Sequence, residues 1–290
     1  MAEILRGAPA AAALTESLIP RCEKLKTQNI HPTLAIIRVG ARDDDLAYEH
    51  AAIQRCENVG IAVRRFLLPE DCDESTLLQT IDEINRDNAI HGCLMFRPLR
   101  SKAAELEASK RLSVSKDVDG MTRASLAYIY SGTGTGYYPC TARACMKLLE
   151  HYGISPEGKR VVVLGRSTVV GKPLAMLLQN QNATVTVCHS RTRNEQEISR
   201  QADILIAAVG KAEHIDRTYM REGQILLDIG IHAREDGSLC GDIVAEDAEA
   251  YAAACAPSPG GVGSITTSVL AEHVIEACEK TACKQQSSVV

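Results

Sequence analysis

The 290 residues are 45% hydrophobic and 24% charged with no Trp, an ordinary globular composition with length for two domains and a core that needs no disulfide staple. A net charge of −5 and only 8 Tyr and 2 Phe provide neither the basic footprint nor the stacking platforms of a nucleic-acid binder. The first apolar stretch, Ala8 to Leu14, is too short for a membrane span, is broken by Pro9 and follows Glu3 and Arg6, so no membrane partner is expected and the chain reads as cytoplasmic, from a bacterium or an organelle-free context.

Apolar runs rich in Val, Ile and Leu alternate with segments of helical period, the pattern of a parallel sheet covered by helices. The spacing predicts a helix over 10–26, a strand at Thr33–Val39, a helix over 44–58, a strand at 61–67, a helix over 74–85 and a strand at 92–96. From Arg97 to Pro139 the regularity weakens and Gly132, Gly134, Gly136 and Pro139 accumulate, as in a loop-rich connection between lobes. The Gly-Thr repeat at 131–136 follows no strand and carries no Lys, and reads as a connector rather than a phosphate loop.

A helix over 141–152 then leads into the strand Arg160–Leu164, a helix from Gly171, and strands at 183–188, 203–208 and 224–229. The expected division is a first α/β lobe over 1–139, joined by a final helix within 265–282, and a Rossmann-type dinucleotide-binding domain over 140–264. Cys283 to Val290 reads as a fraying polar tail. The 11 cysteines are scattered with no metal-ligand spacing, read as reduced and mostly buried, and point to no metal site.

Three stretches carry chemistry. The strand ending in Gly165, followed by Arg166, Ser167 and a helix starting near Gly171, aims backbone N–H groups and a helix dipole at one spot suited to a pyrophosphate, although the glycines stand six apart rather than in the usual dinucleotide spacing. The next strand ends His189-Ser190-Arg191, where an NAD-binding chain places an acid on the ribose; with Ser190, Arg191 and Arg166 instead, a 2′-phosphate is favoured, hence NADP. Pro257 to Gly263 holds two prolines and three glycines, a tight loop that lets a flat ligand approach backbone.

These stretches, with Val39-Gly40, Tyr48, Cys56 to Ile61, Lys116-Asp-Val-Asp-Gly120, Pro139-Cys-Thr141, Ala207 to Lys211 and Asp228 to Ile231, resemble the methylenetetrahydrofolate dehydrogenase/methenyltetrahydrofolate cyclohydrolase family from about residue 33 to 280. The resemblance implies two lobes with a pterin on one wall of a cleft and a nicotinamide on the other. By position, Tyr48 would stack on the folate, Asp119 would bond the pterin, and Pro259 and Gly260 would line the folate site. Gly165, Arg166, Ser167, Ser190 and Ile231 would hold NADP, with Thr141 and Thr266 nearby, and the chain would be a homodimer.

The departures are chemical. Where the family has a catalytic Lys one helical turn after the Tyr, this chain has Ala52; a second family Lys is Gln54; and the Gln that partners the catalytic Lys is Phe96. Hydride transfer needs mainly juxtaposed rings, whereas hydrolysis of the methenyl cation needs an activated water and a proton shuttle. The expectation is an NADP-dependent methylenetetrahydrofolate dehydrogenase whose cyclohydrolase is lost or weak. The alternatives are the full bifunctional enzyme, a non-catalytic folate or dinucleotide sensor, and a relative in which Arg97 and Arg100 select a more anionic substrate.

Overall fold

A computed structural model describes residues 2–287 as an α/β protein of two compact units, between which the chain passes three times. One unit comprises Ala13–Cys140 and the chain from Thr267 onward; the other comprises the chain up to Ala12 and Thr141–Thr266. The first dozen residues therefore do not stay with the N-terminal lobe, as the sequence suggested. The reason is a short strand, β1 (Glu3–Ile4), which pairs in parallel with a strand 251 residues away, Glu3 with Ala254 and Ile4 with Cys255, rather than with its sequence neighbours. Helix α1 (Gly7–Thr27) follows.

The unit that begins at Ala13 is built on β2 (Thr33–Val39), β3 (Ala62–Leu68) and β4 (Gly92–Met95), all parallel in the order β3-β2-β4. Between them run α2 (Asp43–Val59) and α3 (Glu74–Arg86). Three acids open α2 against its positive end, and Gly60 closes it in the left-handed region at φ 89°. Helix α3 is capped by Asp73, whose side chain accepts from Thr76 N–H, and buries Leu77, Ile81 and Ile84 against Ala35, Ile37 and Met95.

The segment expected to be loop-rich instead contains two helices, α4 (Lys102–Arg111), capped by Ser101, and α5 (Arg123–Ser131), capped by Thr122. Helix α4 was hidden because it buries only Ala104 and Ala108, one turn apart, and so lacks an apolar stripe.

The second unit continues through α6 (Cys140–His151), β5 (Arg160–Leu164), α7 (Gly171–Asn180), β6 (Thr184–Cys188), α8 (Glu195–Arg200), β7 (Ile204–Ala207) and β8 (Gln224–Asp228). A small antiparallel pair, β9 (His232–Ala233) with β10 (Leu239–Cys240), precedes α9 (Ala245–Tyr251) and β11 (Ala252–Ala256). Its main sheet has the order β1-β11-β8-β7-β5-β6, all parallel, as a Rossmann-type domain requires. Strand order reverses between β5 and β7, which places the ligand-binding switch point of the sheet there.

The last helix, α10 (Thr266–Ser287), passes the expected end at 282 and takes in most of the expected tail, of which 288–290 lie outside the described residues. It packs on the β2–β4 sheet where Gly92 leaves room for Val118 and Val274. Cys72 is half-buried and Cys283 exposed, and the other cysteines are buried. Among the described residues no helix is long and apolar enough to cross a membrane.

Candidate active site

In the three-stranded unit the C-terminal strand ends gather the residues of interest. Tyr48 lies half-buried on α2, and its ring meets Phe96 edge-on at 6.0 Å between centroids and 84° between planes. Phe96 is held just past β4 by its N–H, which donates to Ile37 at 3.0 Å. Glu49, next to Tyr48, is buried and accepts from Arg38 Nε and Arg65 Nε, each at 2.6 Å, which ties α2 to β2 and β3.

One turn beyond Tyr48, Ala52 is 0% exposed, and Phe96 is 9% exposed. The two positions that the resemblance assigns to a Lys–Gln pair are thus occupied by a methyl and a phenyl ring, and neither offers a proton. Gln54 and His50 are exposed on the same helix.

The Lys116 to Gly120 stretch divides its labour. Lys116 Nζ donates to the carbonyls of Ile84, Asn85 and Asp87 at 2.5, 3.1 and 2.7 Å, closing the end of α3. Asp117 is fully buried and accepts from Met121 N–H and Thr122 N–H, both at 2.8 Å, and from Ser125 Oγ at 2.6 Å, so it builds the turn into α5. Asp119 is left half-buried, and Arg97 Nη2 donates to its Oδ2 at 3.2 Å. Arg97 is itself anchored: Arg42 pairs with Asp45 on α2 through two bonds and also donates to the Arg97 carbonyl at 3.3 Å. Burial, with Asp119 nearby, pushes the Cys140 thiol far above its usual range, so it stays protonated.

The sequence reading singled out Asp119 but did not pair it with Arg97. Only the return of the chain after β4 brings the two together. Arg100 is exposed, on the rim of a cavity of about 290 Å3 near Cys72.

In the Rossmann-type unit a cleft of about 250 Å3 opens at the switch point, lined among others by Gly165, Arg166, Ser167, His189, Ser190 and Lys211. Gly165 has φ +118°, and a Cβ there or at Gly171 would strike backbone carbonyl oxygen. Ser167 Oγ accepts from Val170 N–H at 3.0 Å and so organises the start of α7. The donors present, Arg166, Lys211, the Ser190 hydroxyl and backbone N–H groups, fit the phosphates of a dinucleotide; Glu195 adds a carboxylate to the same lining.

Arg191 is exposed and does not line this cleft; its backbone N–H donates to His189 Nδ1 at 3.2 Å. Lys211, which closes one of the stretches shared with the family, and His214 do line it, and the sequence assigned neither a role. They follow β7 on the far side of the switch point, and their signal was that placement. Ile231 is 63% exposed at the end of β8. Thr266 is buried and donates to the Gly263 carbonyl at 2.9 Å, and Thr141 is half-buried at the start of α6. Pro259, after a cis peptide bond, and Gly260, at φ +100°, stand exposed in their loop.

The family model described as the tetrahydrofolate dehydrogenase/cyclohydrolase catalytic domain matches residues 5–119, and its NAD(P)-binding domain matches residues 139–282. The bifunctional protein FolD of Carboxydothermus hydrogenoformans is 46% identical over 281 residues, 96% of this chain and 98% of that one. The solved FolD methylenetetrahydrofolate dehydrogenase/cyclohydrolase of Campylobacter jejuni is 34% identical, covers 97% of this chain and 99% of its own, and superposes with a TM-score of 0.92. The Trypanosoma brucei FolD, solved with NADP cofactor and an inhibitor, is 29% identical over 97% of this chain and 98% of its own, with a TM-score of 0.91. With both halves matched in order, this chain belongs to the tetrahydrofolate dehydrogenase/cyclohydrolase family of enzymes.

Proposed function

We propose that this chain oxidises 5,10-methylenetetrahydrofolate to 5,10-methenyltetrahydrofolate with NADP, and that it has lost or greatly weakened the hydrolysis of the methenyl product. The observation that carries this reading is the pair of apolar groups at Ala52 and Phe96, packed beside Tyr48 where hydrolysis would require a tuned amine and its amide partner. Arg97 does not replace them as a base, because a guanidinium stays protonated.

When bound, NADP supplies the hydride acceptor, and the residues of this chain position the reactants. Tyr48 presents its ring to the pterin and Asp119 accepts from the pterin edge, with Pro259 and Gly260 contributing backbone to the folate site. Gly165, Ser167 and the start of α7 receive the pyrophosphate, Arg166 and Ser190 receive the 2′-phosphate, and Ile231, Thr141 and Thr266 border the dinucleotide. Arg191, away from the cleft lining, plays at most a long-range electrostatic part. The choice of NADP is also supported by the Trypanosoma brucei relative, solved with that cofactor. A homodimer working in the cytoplasm completes the proposal.

Two measurements test it. Reduction of NADP with methylenetetrahydrofolate should proceed with a lower KM than reduction of NAD, while methenyltetrahydrofolate supplied alone should disappear no faster than it does spontaneously. Hydrolysis well above that background would support the second reading, a complete bifunctional enzyme, which is favoured by the name of the 46%-identical relative.

A further inference from the structure

Two buried carboxylates in the Rossmann-type unit have no part in the proposed reaction. Asp242 is 0% exposed, and four donors converge on it. Its Oδ2 accepts from Val209 N–H at 2.6 Å and Gly210 N–H at 3.1 Å; its Oδ1 accepts from Lys211 N–H at 2.9 Å and His232 Nε2 at 2.8 Å. Asp228 in turn accepts from the backbone N–H groups of Gly230 at 3.0 Å and of Asp242 and Ile243 at 2.9 Å. Bare backbone makes this possible, since a Cβ at Gly230 would collide with Asp242 and one at Gly241 with Asp228.

The three backbone donors to Asp242 form the loop after β7, and that loop supplies Val209 and Lys211 to the lining of the switch-point cleft. Its fourth donor, His232, opens β9 and is the residue after Ile231. We infer that Asp242 is a positioning residue for the dinucleotide: a single carboxylate, held by Asp228, fixes both the loop that walls the cleft and, through His232, the Ile231 stretch that follows β8. An ionised carboxylate is acceptor-only, so it suits four donors; an amide in its place would turn a donor toward other donors. This inference rests on the reading that the cleft holds NADP.

The test uses His232, which touches Asp242 rather than the cleft lining. His232→Ala should raise the dissociation constant and the KM for NADP about 5–20-fold, the range expected for part of a charge-assisted hydrogen bond, and leave the KM for the folate within about twofold. His232→Gln, whose amide nitrogen reaches to the place of Nε2, should recover most of the affinity, a rescue that loss of mere packing would not show. Asp242→Asn should weaken NADP binding further. Unchanged NADP affinity in His232→Ala, or no recovery with Gln, overturns the inference, and if Arg166→Ala still weakens NADP binding the reading of the cleft survives. If the unaltered chain binds no NADP, the reading and the inference fall together.

Discussion

Ala52 sits where any added side chain must be buried, and that sets the terms for restoring hydrolysis. A lone ammonium introduced there would come without its amide partner, since Phe96 offers no acceptor, and an uncompensated buried charge costs several kcal/mol. Ala52→Lys alone should therefore lower Tm and hydrolyse methenyltetrahydrofolate little, whereas Ala52→Lys with Phe96→Gln should exceed the single variant at least about tenfold, a non-additivity expected of residues that act as a pair. Arg97 poses the complementary question. Its guanidinium occupies Asp119 Oδ2, while a pterin edge with two donors calls for both oxygens. Arg97→Leu should lower the KM for the folate severalfold, read from initial rates at saturating NADP; an unchanged or higher KM would show that the arginine assists binding. Farther from the site, His91 is buried beside Lys116, and its Nδ1 has no hydrogen-bond partner among the described residues. Burial, reinforced by the Lys116 charge, pulls its pKa below the usual 6.5. The unfolded chain then takes up that proton more readily, so the contribution to stability is complete above pH 6.5 and declines as the pH falls through and below it. Thermal melts from pH 7.5 to 5 should show a shallower acid decline for His91→Leu than for the unaltered chain.

The elements differ in how plainly the sequence announces them, and the difference follows from what each one buries. Strands β2 and β5 begin and end where the apolar runs predict, since both are central in parallel sheets and lined with Val, Ile and Leu. Strand β11 reads Ala-Ala-Ala-Cys-Ala, a helix-favouring run by local preference. It is extended because β1 and β8 pair with it on either side, information that lies far away in the chain. Helix α4 is illegible for a related reason: its seat is made by small residues, so its inward face carries no bulky apolar signal. That account predicts a cost for enlarging the face. Ala108, 0% exposed, packs in the cluster with Ile81 and Ile84. Ala108→Leu should destabilise by about 1–3 kcal/mol, measured by urea unfolding, and a neutral result would mean that the helix is free to shift outward. Sequence also located the turn after β5 and the residues Arg166, Ser167 and Ser190 around the cleft. It noted Lys211 only as the end of a stretch shared with the family and overlooked His214, and the place of both depends on which strand lies next to β5.

For the molecule as a whole, the mixed α/β pattern was enough to anticipate a parallel-sheet architecture. It could not show that each unit is assembled from two separate stretches of the chain. The Rossmann-type sheet is completed by β1 pairing with β11, and the three-stranded unit by α10 covering Gly92. Ending the chain at Thr266 should leave that glycine face bare and yield a protein with lowered Tm and exposed apolar surface, detected by dye binding. The same arrangement has a kinetic side. As the polypeptide emerges from the ribosome, Leu5 must wait for Cys255, whose carbonyl receives its N–H at 2.8 Å, and neither half can finish before residue 255 has been made. Unlike beads-on-a-string proteins, whose leading domain matures while the rest is being made, this one spends its synthesis with both halves unfinished, which marks the nascent chain as the stage at which it most depends on protection from aggregation.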